Sequence, residues 1–142
     1  MELAKVRETF EFILGSWRKA QALRAKAQAY RLSATGGGIR YDKDHVQTSP
    51  EDYQSIWIIK AVDCESQAAK IIEMSDGVRL KAVEWMEAVC RENEQFVLNQ
   101  HYLLGRTYTE ISDEYVDLFD YGSKTTMFDI AQRGMRRIAE KL

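Results

Sequence analysis

Between Leu3 and Leu23 the apolar residues Leu3, Val6, Phe10, Ile13, Leu14, Trp17, Ala20 and Leu23 recur at spacings of three and four. This spacing lines one stripe of a helix, so residues 2–32 are expected to form one helical segment. The stripe weakens through Ala27 and Tyr30. Gly15 lies inside it, at a cost of about 1 kcal/mol relative to Ala. A second long helix is expected from about 50 to 91, with Ile56, Ile59, Val62, Ala69, Ile72, Leu80, Val83, Met86 and Val89 on its apolar side. Asp76-Gly77 offers a break. A continuous helix of that span is about 60 Å long at 1.5 Å per residue. The first helix can pack antiparallel along it as a hairpin. Such a hairpin buries its surface less well than a globule, which predicts a partner helix, most simply from a second copy of the chain.

The last third changes character. Short helices are expected at roughly 93–104, 108–118 and 123–141, with breaks at Leu104-Gly105-Arg106 and Tyr121-Gly122-Ser123. Thr107 and Ser123 are the expected caps of the last two. The buried set would be Phe96, Val97, Leu98, Tyr102 and Leu103, then Tyr108, Ile111 and Tyr115, then Met127, Ile130, Ala131, Met135 and Ile138. The fold class is therefore all-α. A long antiparallel helical hairpin (residues 1–91, with a loop at 33–49) precedes a three-helix helix-turn-helix domain (residues 92–142). In the loop, Ser49-Pro50-Glu51-Asp52 combines an N-cap, a proline suited to the first helical position and two acids that complement the helix dipole.

Composition narrows the function. The 142 residues include one proline and eight glycines, and the formal net charge is -2. No apolar run approaches the roughly 18 residues of a spanning helix. The charged start MELAKVRETFEF lacks a signal-peptide core. Cys64 and Cys90 make neither a disulfide framework nor a zinc site alone, and His45 and His101 stand in no ligand spacing. A reduced cytoplasmic protein without metal or cofactor is expected. Charge is unevenly spread: residues 1–31 are net +4, residues 32–122 net -9 and residues 123–142 net +3. A basic last helix can bind nucleic acid locally despite the acidic total, because physiological salt confines the relevant field to about 8 Å. Ser123, Lys124, Thr125, Thr126, Gln132, Arg133, Arg136 and Arg137 are the candidate DNA-binding residues. The helix N-terminus, Lys124 and the arginines suit phosphate, and the polar residues near the start suit base edges.

VLNQHYLLGRTYTEIS followed by YGSKTTMFDIAQRGMRRI resembles the C-terminal region of sigma factors that reads the -35 element. The matching positions are Val97, Leu98, Tyr102, Gly105, Thr107, Ile111, Ser112, Gly134, Met135 and Ile138. Upstream, GGIRYDKDHVQTSPEDYQSIWIIKAVDCE is similar to a loop pattern of small phage and prophage proteins, the sigma-like transcriptional regulators of the RinA and ArpU kind. The resemblance implies a non-enzymatic regulator of double-stranded DNA, with RNA polymerase as a further partner and the hairpin serving self-association or polymerase contact. One departure is DEYVDLFDYG between Ile111 and Ser123, about five residues longer than the common sigma turn, carrying Asp113, Glu114, Asp117 and Asp120. Either the second helix is extended and these acids point away, or DNA binding is weak or indirect.

Two other classes remain open. A protein-interaction module contacting RNA polymerase or a phage protein is favoured by that acidic segment. A Mg²⁺-dependent all-α nucleotide pyrophosphohydrolase would use Glu84 with Glu87 and Glu114 with Asp117, since carboxylates three apart share a helix face and can hold Mg²⁺ with a diphosphate. No nucleophile constellation and no phosphate-cradling Gly-rich motif is visible.

Overall fold

The computed structural model describes residues 1–35 and 50–142. The expected loop at 33–49, its Tyr41–Pro50 motif and the Ser49 cap fall largely or wholly outside the described residues. Helix α1 runs Leu3–Ala34, α2 Pro50–Val89, α3 Glu92–Leu98, α4 Tyr108–Phe119 and α5 Lys124–Lys141. Helix α3 continues into one π turn, Asn99–Leu103. The protein is all-α, a long helical hairpin followed by three short helices, with no strand among the described residues. No helix among them is long and apolar enough to cross a membrane.

The boundaries follow local chemistry. The Thr107 hydroxyl accepts from the Glu110 amide at 3.3 Å and caps α4. Ser123 does the same for α5, accepting from the Thr126 amide at 3.3 Å. The turn between these helices uses two left-handed residues. Asp120 ends α4 at φ 65°, and Gly122 has φ 147°. A Cβ on Gly122 would lie 2.8 Å from the Tyr115 ring and 2.9 Å from Met127 Cε, so glycine is required on both counts. Helix α2 is continuous, and the break that Asp76-Gly77 offers is not taken. Gly77 is exposed there, and a helix of this length absorbs one such residue.

The chain forms two compact units. One unit comprises Met1–Arg18 with Met74–Leu142, the other Lys19–Glu73. The first holds the main core. Val6, Phe10 and Ile13 of α1, Trp85 and Met86 of α2, Leu98 of α3, Ile111 and Tyr115 of α4, and Met127, Ile130, Met135 and Ile138 of α5 belong to one buried cluster. In the second unit the buried cluster is small: Ala27, Ala61 and Cys64, with Leu23 and Tyr30 partly buried against it. Tyr30 stacks on Trp57 at 5.5 Å between centroids, and Arg31 pairs with Glu65.

Burial along both long helices follows a seven-residue row. In α1 the row is Val6, Ile13, Ala20, Ala27 and Ala34; in α2 it is Ala61, Ala68, Ser75 and Ala82, all buried. A strict seven-residue repeat keeps one seam of a helix against its partner, and alanines allow the backbones close. This corrects the expected inner face of α2. Ile56, Ile59, Val62, Ala69 and Leu80 are exposed, while smaller residues occupy the seam. Val83, Val89 and Ile72 are half-buried and Met86 is buried. Trp85 lies in the core, and Trp17 and Trp57 are half-buried.

Candidate nucleic-acid interface

Helix α5 packs against α3 and α4. Its buried row is Met127, Ile130, Ala131, Gly134, Met135 and Ile138, the apolar face expected from spacing plus one glycine. Gly134 sets the approach of α3. A Cβ there would lie 2.8 Å from Leu98 Cδ1 and 3.3 Å from Glu94 Cβ.

A third neighbour flanks α5. The Met1 amine donates to the Ala139 carbonyl at 3.2 Å, and Arg7 donates to Gln132 Oε1 at 3.1 Å. Further along, Phe128 lines a cleft of about 380 Å³ with Glu11, Leu14, Gly15 and Arg18 of α1 and with His101, Tyr102 and Tyr108. Helix α1 therefore runs antiparallel beside α5 and covers one flank of it. The outward row of α5 is Thr125, Asp129, Arg133, Arg136 and Glu140, all exposed.

The eight candidate residues separate into distinct roles. Lys124, Thr125, Arg133 and Arg136 are exposed. Ser123 and Thr126 are joined in the cap, with 2.9 Å between their hydroxyls. Gln132 is held by Arg7. Arg136 donates from Nε to the Gln132 carbonyl at 3.4 Å, and its guanidinium lines a shallow basic cleft with Arg133, Arg137 and Glu140. Arg137 is committed inward. Its Nε donates to Glu94 Oε1 at 2.8 Å and Nη2 to Oε2 at 3.2 Å.

Glu94 stands in the first turn of α3, is 0% exposed, and its Oε1 also accepts from the Arg91 amide at 2.9 Å. Burial by itself would push its carboxyl up. The Arg137 hydrogen bonds, the Arg91 amide and the two positive charges outweigh burial and hold it below the ordinary 4.5. Beside it, the Cys90 thiol is pushed up to about 12, first by burial and then by the Glu94 charge, with Arg137 acting the other way. Cys90 is half-buried and donates weakly to the Gly134 carbonyl at 3.6 Å; Cys64 is buried and free.

The acidic segment extends α4 to Phe119. Glu114 is paired by Arg106, which also donates to Gln100 Oε1 at 2.7 Å. Asp113, Asp117 and Asp120 are exposed. His101 is buried in the π turn, stacked on Tyr108 with centroids 3.9 Å apart, and its Nδ1 donates to the Arg106 carbonyl at 2.7 Å. Burial depresses its pKa, and the charge of Arg18 does so further, against the opposing Arg106 hydrogen bond. The imidazole is thus neutral at pH 7. Glu84 and Glu87 are exposed, and among the described residues no group of three or more His, Cys, Asp or Glu could hold a metal ion.

Sequence spacing missed three participants. Arg7 and Glu94 are 125 and 43 residues from their partners, and no local pattern signals such pairs. Phe128, 48% exposed on α5, was legible in principle as an apolar residue off the buried row. No protein-family model, curated protein or solved structure matches the chain.

Proposed function

We propose that this protein is a non-enzymatic transcriptional regulator of phage or prophage type, which binds promoter DNA through the α4–turn–α5 element. The observation that carries this reading is the outward presentation of Lys124, Thr125, Arg133 and Arg136 on a capped helix held by two others. The sigma-like motif order in residues 97–138 supports it. Arg133 and Arg136 meet phosphate, while Lys124 and Thr125 at the first turn approach the groove. Double-stranded DNA is the proposed partner, RNA polymerase a further one, and the cytoplasm the proposed location. The hairpin serves self-association or polymerase contact.

A second reading is a protein-interaction module that never touches DNA. Asp129 and Glu140 share the outward row with the exposed Arg133 and Arg136, so that row has no net charge, and α1 covers one flank of α5. Fluorescence anisotropy with promoter-region duplex at about 50 and 200 mM salt, with non-specific competitor, separates the two. Competitor-resistant binding that weakens with salt supports the regulator. No binding at either salt overturns it, and pull-down with RNA polymerase then tests the interaction module.

A further inference from the structure

Glu11 and Arg18 stand two turns apart on one face of α1, about 10 Å along its axis. Both are exposed, and among the described residues neither enters an ion pair. Between them Leu14 is buried and Gly15 has no side chain; a Cβ on Gly15 would meet nothing within 4 Å. This bare strip is one wall of the cleft of about 380 Å³ that α1 shares with Phe128. Rings form the rest of it. Tyr108 and Phe128 meet edge to face with centroids 5.9 Å apart, and His101 stacks on Tyr108. His101 is 9% exposed, and its Nδ1 is committed to the Arg106 carbonyl. Its remaining nitrogen, Nε2, is an acceptor in the neutral ring. The Tyr108–Phe128 pair also lines a second cleft of about 380 Å³, with Lys124 and Thr125. The two clefts thus meet at one pair of rings, and both lie within the unit Met1–Arg18 with Met74–Leu142.

We propose that the joined clefts bind a free guanine nucleotide, its base lying along Gly15 and its phosphate at Lys124. A cleft of this volume falls at the lower end of the range for small-molecule sites. A flat ring fits between a glycine-bared helix and aromatic side chains, which stack on nucleobases. The charged rim selects the base. Guanine carries two donors, N1–H and the N2 amino group, on one edge and two acceptors, O6 and N7, on the next. The Glu11 carboxylate takes the first edge, and the Arg18 guanidinium takes the second. Adenine has an acceptor where guanine has N1–H, and so meets the carboxylate unfavourably. A ribose hydroxyl can donate to His101 Nε2. An aromatic amino acid would fill the first cleft and leave Lys124 unanswered. Paired guanine in duplex DNA has its donor edge occupied, so the nucleotide is an unpaired one. The site goes beyond the proposed function and stands whether or not α5 meets DNA.

Isothermal titration of the full chain with GMP, AMP, guanosine and tryptophan tests it, and circular dichroism checks that each variant stays helical. GMP is expected to bind with a Kd of about 10–100 µM, and AMP about tenfold more weakly. Gly15→Leu puts a better helix former into open space, so it should fold and weaken GMP about tenfold or more. Phe128→Ala, at an exposed position, should also weaken GMP about tenfold. Glu11→Gln should erase the preference for GMP over AMP, a readout that a merely structural role would not move. Lys124→Ala should weaken GMP and leave guanosine unchanged. No GMP binding up to about 1 mM overturns the proposal. So does GMP binding that Gly15→Leu and Phe128→Ala leave intact, equal binding of GMP and AMP by wild type, or tighter binding of tryptophan. A guanine-containing single strand that displaces GMP at equal base concentration overturns the assignment to a free nucleotide. Binding to promoter duplex is measured separately, so either proposal can fail without the other.

Discussion

Arg137 grips both oxygens of the Glu94 carboxylate, which solvent does not reach, and so joins the last turns of α5 to the first turn of α3. An arginine that looks like one of a basic triplet is therefore part of the frame that holds the helix. Removing it strands a buried carboxylate, at a cost on the order of 3 kcal/mol. Arg137→Ala should lower the urea midpoint far more than Arg133→Ala, whose side chain is exposed. Equal midpoints would show that the pair does not hold α3 to α5.

The same pair sets the acid limb of stability. The folded Glu94 carboxyl lies below its ordinary 4.5, so its contribution is complete above that value. It is lost as pH falls through the lower folded value. Urea midpoints measured between pH 7 and acid should fall less steeply for Glu94→Gln than for wild type. The variant itself is less stable at neutral pH, because the charge that Arg137 needs is gone.

At high pH the sign reverses. The unfolded Cys90 thiol ionises from about 9.0, whereas the folded one stays protonated to about 12. The unfolded state therefore releases the proton first, and stability falls across that window. Tyr102, Tyr108 and Tyr115 are also raised and act in the same direction. The difference between wild type and Cys90→Ser isolates the thiol, and the variant should show a shallower alkaline decline. Native Cys90 should also react slowly with a thiol reagent at pH 8, because the thiolate is the reactive form.

Gly134→Ala tests the close approach of α3 and α5. Helix propensity favours alanine by about 1 kcal/mol. Against this, the new methyl would stand 2.8 Å from Leu98 Cδ1 and 3.3 Å from Glu94 Cβ, and both residues are fully buried. Overpacking of this kind costs about 1–3 kcal/mol. A net loss of stability is expected, read as a lowered thermal midpoint; a gain would mean that α3 can move aside.

For DNA, the informative variant is Arg133→Ala with Arg136→Ala. Both guanidinium groups are exposed on α5, so folding should be unchanged. Each lost phosphate contact flattens the salt slope by about one unit. Affinity should fall by a similar factor on all sequences. An unchanged slope and affinity would remove α5 from the interface.

Much of the fold is legible in residue order. Thr107, Ser123 and Gly122 act within a turn of their own positions, so the ends of α4 and α5 fall where capping and glycine place them. The buried row of α5 follows equally directly, because that helix has one apolar face. Helix α2 is different. It carries a row of alanines and serine and another of isoleucines, and periodicity cannot rank two candidate faces.

The sequence by itself determined that the chain is helical, where its short helices begin and end, and which face of α5 is buried. These depend on hydrogen bonds, glycine conformations and spacings within a few residues. Only the tertiary structure decided that Ala61, Ala68 and Ala82 face inward while Ile56 and Ile59 face out, and that Arg137 belongs to Glu94 rather than to a ligand. Both outcomes depend on which distant helix lies alongside. Close packing favours the small side chain where two backbones meet, and a buried carboxylate takes the nearest guanidinium, however far apart the two stand in the chain.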